Sequence, residues 1–280
     1  LRAWLDALPA PILRRHPGLC ATHAWLLLLS GESLRTVEAQ IEDLDAGARN
    51  SGKVKAARAL IALFKGEIER VSTLTDQARE VLTEADGFWY MIARWLWSLF
   101  QLSEEEWRRK ETQPLRKLIR SQLRSQNVLL AVLGLCNLGE LRLKQGRLHN
   151  AEALFNQALA QTTNAQGECI PIGGEPLIWL GDLARERNDL SLAERYLTQG
   201  IERISDWGRI AAIDGYTALA RVHQAQGDPE AAYEALDQAE KLAILFDATD
   251  VDDAMVAMYR ARIDALEDDF AAVERWALSQ

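Results

Sequence analysis

Residues 135–158 read LCNLGELRLKQGRLHNAEALFNQA, and the skeleton of this stretch is Leu135-x2-Leu138-Gly139-x2-Arg142, then Gly146, then Ala151-x3-Phe155-x2-Ala158. It returns as Leu177-x2-Leu180-Gly181-x2-Ala184, Asn188, Ala193-x3-Leu197-x2-Gly200, and again as Tyr216-x2-Leu219-Ala220-x2-His223, Gly227, Ala232-x3-Leu236-x2-Ala239. Apolar residues three and four apart define one buried helical face on each side of the central position. Gly146, Asn188 and Gly227 fall where the first helix must stop in a left-handed conformation, which Gly adopts freely and Asn tolerates. The small residues Gly139, Gly181 and Ala220, with Ala151, Ala193 and Ala232 opposite, leave room for two helices to approach closely. Each unit is therefore predicted to be a helical hairpin.

A single hairpin cannot bury its apolar face, so hairpins stack into a solenoid with a continuous core. The pattern resembles the tetratricopeptide repeat, which implies an all-α, right-handed α-α superhelix. Gly139 to Gly181 is 42 residues and Gly181 to Ala220 is 39, against roughly 34 for the standard repeat, so the helices or loops are longer than usual. Gly31 and Gly66 lie 35 apart, and 80 residues separate Gly66 from Gly146, which extends the rhythm toward the N-terminus. Helix pairs are expected near 19–45, 53–83, 88–124, 130–161, 175–203, 209–242 and 250–280, after a short opening helix. Residues 163–176, TNAQGECIPIGGEP, read as the longest loop, on the rim of a concave groove. A length of 280 would ordinarily suggest two domains, but a solenoid grows by adding neighbours, so one domain over 1–280 is expected.

Composition narrows the function. The chain is 48% hydrophobic and 26% charged, with nine Trp, and its apolar runs at 24–29 and 87–100 fall short of a membrane span of ~20 residues. No signal peptide opens it. Cys20, Cys136 and Cys169 are odd in number without CxxC spacing, and His16, His23, His149 and His223 include no HxxxH pair. A reduced, cytoplasmic protein without a zinc site is expected. No Gly-x-Ser-x-Gly elbow is present, and the many carboxylates form no acid–base pair that sequence can single out, so an enzyme is not expected. The formal net charge of −9 argues against direct nucleic-acid binding. The basic segment 107–124, WRRKETQPLRKLIRSQLR, is read first as the solvated face of an amphipathic helix and second as a docking surface for an acidic partner. Acidic runs at 104–106, 252–253 and 267–269 suit helix starts and turns. Trp95 and Trp97, in FWYMIARWLWSLF, are read as packing residues; exposed, the 88–97 segment would suit a hydrophobic oligomer interface.

The opening LRAWLDALPAPILRRHPGLCATHAWLLLLSGE, the segment LGELRLKQGRLHNAEALFNQALA at 138–160 and LIWLGDLARERNDLSLAERYLTQGIE at 177–202 resemble the sensor region of MalT-like regulators, large LuxR-type bacterial transcription activators. The turn Asn188-Asp189-Leu190 with the following Ala193-Glu194-Arg195-Tyr196-Leu197 is the most specific part. The resemblance implies a middle superhelical domain that senses an inducer, between an N-terminal ATPase module and a C-terminal helix-turn-helix. This chain has no G-x-x-x-x-G-K-[ST] loop, since Gly52-Lys53-Val54 lacks the upstream glycine and the hydroxyl residue. Nor does it end in a recognisable helix-turn-helix. ATP is expected on the missing module, with no cofactor in this chain.

In tetratricopeptide solenoids the first helix of each hairpin lines the concave face. Projecting outward from the small packing residues gives Asn137, Glu140 and Lys144; Glu175, Ile178, Asp182 and Arg185; and Asp214, Thr217, Arg221 and Gln224, with Trp179 beside the stripe and Trp207 in the loop before the next hairpin. Asp182 and Arg185, three apart, can pair, and Asp214 and Arg221 lie two turns apart on one stripe. Carboxylates and guanidiniums together suit a hydroxyl-rich or zwitterionic small molecule. The expected function is a ligand-sensing regulatory domain that binds an inducer or partner in this groove and controls self-association. Its partners would be the inducer, the other domains of the same regulator and a second copy, with no nucleic acid or membrane. The alternative is an adaptor that takes a protein or peptide segment in the same groove; the mixed stripe disfavours an acidic peptide and permits a basic one.

Overall fold

A computed structural model describes residues 2–30, 32–44, 46–100, 113–124, 127–163, 169–204, 209–246 and 250–279. The fold is all-α, and no strand is found among the described residues; Thr163 and Cys169 form an isolated antiparallel bridge. No helix among them is long and apolar enough to cross a membrane. The basic residues at 107–112, the acidic run at 104–106, Trp207, Gly31 and the centre of the expected loop at 164–168 lie outside the described residues.

The chain forms two compact units, Leu1–Leu130 and Ala131–Gln280. The first carries α1 (Arg2–Asp6), α2 (Ala10–Arg15), α3 (Pro17–Leu29), α4 (Leu34–Glu42), α5 (Ala46–Arg49), α6 (Gly52–Phe64), α7 (Ile68–Val81), α8 (Phe88–Phe100) and α9 (Gln113–Arg124). The single opening helix expected from sequence is two helices. Pro9 stands between them with φ −58° and ψ 134°, an extended conformation that caps α2 and cannot continue α1. Trp89 and Trp95 are buried in this unit, and the Arg79 guanidinium lies over the Trp97 ring at 4.1 Å. These tryptophans therefore pack, and do not form an exposed patch. On α9, Arg116, Lys117, Arg120 and Arg124 are exposed while Ile119 and Gln122 are buried, which is the solvated-face reading of the basic segment.

The second unit follows the repeat, from α10 (Val128–Lys144) and α11 (Leu148–Thr162) through α12 (Gly174–Glu186) and α13 (Leu190–Ile204), α14 (Arg209–Gln226) and α15 (Pro229–Phe246), to α16 (Asp250–Leu266) and α17 (Phe270–Ser279). A 3-10 turn at Pro171–Gly173 leads into α12. The 42-residue period from Gly139 to Gly181 includes the long connection between Thr162 and Gly174, and further along α14 and α15 reach 18 residues each.

Every hairpin turn here is made in the same way. Gly146, Asn188 and Gly227 have φ of 70°, 60° and 81°, as the sequence predicts, and Asp268 joins them at 62°. In each case the residue after the left-handed position donates its N–H to a carbonyl five residues back: Arg147 to Arg142, Asp189 to Ala184, Asp228 to His223 and Asp269 to Asp264, at 2.8–3.0 Å. Gly66, at φ 68° in the first unit, is followed by the same bond from Glu67 to Ala62. These are Schellman closures, which satisfy carbonyls that the helix end would leave unpaired.

Between the helices of a pair the small residues do what the pattern requires. A Cβ added to Gly139 would lie 2.2 Å from Phe155 Cε1, and one on Gly181 would lie 2.5 Å from Leu197 Cγ and 3.1 Å from the Ala193 carbonyl. At the base of α12, a Cβ on Gly174 would meet the Gly200 carbonyl oxygen at 2.5 Å, so α12 and α13 touch backbone to backbone. Phe155, Leu197 and Leu236 are fully buried against these sites. An exposed helical Gly→Ala change stabilises by about 1 kcal/mol, but overpacking costs ~1–3 kcal/mol. Gly181→Ala is therefore expected to destabilise the chain in chemical denaturation. Gly18→Ala, whose added carbon would meet Lys53 Cδ at an ordinary 3.6 Å, is expected to leave stability unchanged or raise it.

Candidate functional site

α12, α14 and α16 are the first helices of three successive hairpins. Residues spaced by three, four and seven share one helical face, and on α12 that face presents Glu175, Ile178, Trp179 and Asp182. On α14 it presents Ala211, Asp214, Thr217, Ala218 and Arg221, and on α16 Met255 and Tyr259. Together these side chains line a cavity of about 110 Å³.

Its charged groups form a network that ties one hairpin to the next. Asp182 accepts from Arg185 Nε at 2.8 Å within α12 and from an Arg221 terminal nitrogen of α14 at 3.1 Å. Arg221 also lies 3.7 Å from Glu186, to which Arg185 donates as well, and its guanidinium stands over the Tyr259 ring of α16 at 5.5 Å. Trp179 is stacked on Phe155 of α11, with centroids 5.9 Å apart and planes within 10°, and donates its indole N–H to Glu175 at 3.2 Å. Burial pushes the Glu175 carboxyl up to about 7; the Trp179 bond opposes that shift and the neighbouring Glu140 adds to it. Burial, with Glu175 and Glu140 nearby, raises the Cys136 thiol well above its ordinary value, which leaves it a poor nucleophile.

Of the stripe read from sequence, Glu175, Trp179, Asp182, Asp214, Thr217 and Arg221 are brought together here. The expected pairing of Asp182 with Arg185 is present, although Arg185 stands behind the cavity wall. Ile178, projected outward, is 4% exposed and belongs to the core as much as to the cavity, because α14 packs over it. Thr217 is also buried, and its hydroxyl donates to the Asp214 carbonyl at 2.9 Å, so it forms floor. Asn137, Glu140 and Gln224 do not line the cavity. Asn137 donates to the Leu133 carbonyl at 2.7 Å and Glu140 pairs with Lys144 at 2.6 Å, both within α10. Sequence reading missed Met255 and Tyr259. The 39-residue spacing places Tyr259 at the repeat position of the small packing residues Gly181 and Ala220 and carries Arg221 onto Arg260, so the period did not point to either residue.

Stacked hairpins with mid-helix small residues, Schellman turns and a cavity on the first helices define a tetratricopeptide-like helical-repeat domain. The family described as the MalT-like TPR region matches residues 52–280, and the chain belongs to it: a helical-repeat domain of the regulatory, protein-interaction kind. Among solved structures, the chain is similar to one in the crystal structure of the APC/C hetero-tetramer Cut9-Hcn1, with a TM-score of 0.59 and 15% identity, over 89% of this chain and 43% of that one. That likeness is one of fold, and the chain spans less than half the length of its counterpart. No curated protein sequence matches.

The raised Glu175 carboxyl has a signed consequence for stability. Folded Glu175 holds its proton up to about 7, whereas the unfolded side chain releases it near 4.5, so the folded state binds more protons between these values and stability falls as pH rises through that window. Glu175→Gln removes the effect. The variant is expected to gain on wild type progressively from pH 4.5 to 7, by roughly 3 kcal/mol at the plateau, as measured by denaturation at a series of pH values.

Proposed function

We propose that this chain is the signal-sensing and regulatory domain of an ATP-dependent, LuxR-type transcription activator, and that an inducer binds in the cavity between α12, α14 and α16. The observation that carries the reading is that three consecutive hairpins each contribute polar or aromatic side chains to one cavity, with Asp182, Arg221 and Tyr259 linking them. A ligand seated there touches three repeats at once. It therefore binds one arrangement of those repeats more tightly than another, and this difference in affinity is what permits a switch. In a solenoid, small changes between neighbouring repeats accumulate along the stack, which carries the signal to the surfaces that govern self-association.

On this reading ATP is held by a separate module of the same regulator and promoter DNA by another. This domain contacts the inducer, those modules and a second copy of itself. Such an activator works in the cytoplasm, and the free state of Cys20, Cys136 and Cys169 accords with a reducing compartment.

A thermal-shift screen of the chain against a metabolite library tests the proposal. An inducer at 100 times its Kd stabilises the fold by ~2.7 kcal/mol. That shift is expected to disappear in Trp179→Ala and Asp214→Ala, and ligand is expected to change the oligomeric state read by light scattering. If no metabolite binds while the separate ATPase module does, the domain is a protein-docking arm and the inducer reading fails.

A further inference from the structure

The charged side chains around the cavity differ in how they are satisfied. The Arg221 guanidinium is engaged within the protein by Asp182 at 3.1 Å, Glu186 at 3.7 Å and the Tyr259 ring at 5.5 Å. Arg185 is turned onto the same two carboxylates. An anionic ligand would have to break these pairs to reach either cation. Glu175 is the opposite case. Among the described residues its hydrogen-bond partner is the Trp179 indole, no cationic side chain forms an ion pair with it, and the charged neighbour that acts on it is a second carboxylate, Glu140. A carboxylate largely withdrawn from water is costly to ionise without a counter-charge. The electron-rich indole face beside it attracts cations as well.

Resting on the reading of this cavity as the inducer site, we infer that the group it accepts is a protonated alkylamine, held by Glu175 and by the aromatic side chain of Trp179. The volume fits such a group. At ~10–15 Å³ for each enclosed water, 110 Å³ is the space of roughly eight waters, which suits a short alkylammonium chain. A neutral polyol can donate a hydrogen bond to Glu175 but brings no counter-charge, whereas an ammonium brings the charge that no described cationic side chain supplies and donates a charge-assisted hydrogen bond as well.

Binding a cation requires the ionised form of Glu175, which ties affinity to pH. Among the described residues, the titratable and charged groups around Glu175 are Asp182 on its own helix, Cys136 and the Lys144-paired Glu140 on α10, Asp214 and Arg221 on α14, and Tyr259 on α16. Among these, Cys136 is pushed upward, away from neutrality. Glu175, displaced to about 7, is the group expected to set the profile.

The test is calorimetric titration of the full chain with n-butylammonium, 1,4-diaminobutane, the neutral isostere 1-butanol and Nα-acetyl-lysine amide at pH 6, 7 and 8, on wild type and Glu175→Gln. The amines are expected to bind and butanol not to bind. Their Kd is expected to fall about fivefold from pH 6 to 7 and less than twofold from 7 to 8, as Glu175 ionises. Glu175→Gln, checked by circular dichroism for an intact fold, is expected to bind amines at least ~10-fold more weakly and without that pH dependence. Tighter binding of the lysine amide than of the free amines supports the same chemistry, with a protein side chain as its source. The inference is overturned if butanol binds as well as butylammonium, if Glu175→Gln binds amines undiminished, or if no amine binds. A non-cationic metabolite whose binding is lost in Trp179→Ala sinks this inference and leaves the inducer site standing. No ligand of any charge sinks both.

Discussion

The contact between the two helices of a repeat depends on missing side chains. At Gly174 and Gly200 the backbones of α12 and α13 meet with no room for a Cβ between them, and about two turns further along α12 Gly181 receives the Leu197 side chain. Two such points fix both the spacing of the pair and its axial register. Because α14 then packs over Ile178 and Gly215 stands against Ile201 and Ile178, the register is passed from one hairpin to the next. That transmission brings Asp182 and Arg221, 39 residues apart, within 3.1 Å, and allows three helices from three repeats to share one cavity. Dispersion between close-packed helices is strong only at contact distance, so a methyl group at these positions perturbs the packing and the alignment of the cavity wall together.

The repeat was legible because its punctuation is stereochemical. A left-handed residue must end each first helix, and Gly146, Gly227 and Asn188 are residue types that accept that conformation. Asp268 makes the same turn with a residue type that takes a left-handed conformation less readily than Gly, so the last hairpin lacks the mark that the three clear repeats carry. With it went Tyr259 and Met255. Ile178 lines the cavity as projected yet is largely covered: helical periodicity gives the angle of a side chain about its own helix, and the neighbouring helix decides whether that angle is open or covered.

Asn137 and Glu140 are instructive because they occupy the same repeat positions as Trp179 and Asp182. Asp182 is drawn into the cavity by Arg221 of the next hairpin. The residue at the corresponding place for Glu140 is Asp182 itself, a carboxylate, so no bridge forms and Glu140 turns to Lys144 on its own helix. Position within the repeat was readable from one helix; the pairing that makes a site needed two. The same pairing leaves the cavity asymmetric, with the Arg221 guanidinium engaged in the wall and, among the described residues, no cationic side chain paired with Glu175.

The central claim is that a ligand acts on the first helices of consecutive hairpins. Hydrogen–deuterium exchange, read with and without a stabilising ligand from the metabolite or amine series, tests it most directly. The account predicts slowed exchange in peptides covering Gly174–Glu186, Arg209–Gln226 and Asp250–Leu266, with little change in their partners Leu190–Ile204 and Pro229–Phe246. Protection confined to the first unit, or spread equally over both helices of each pair, would contradict it.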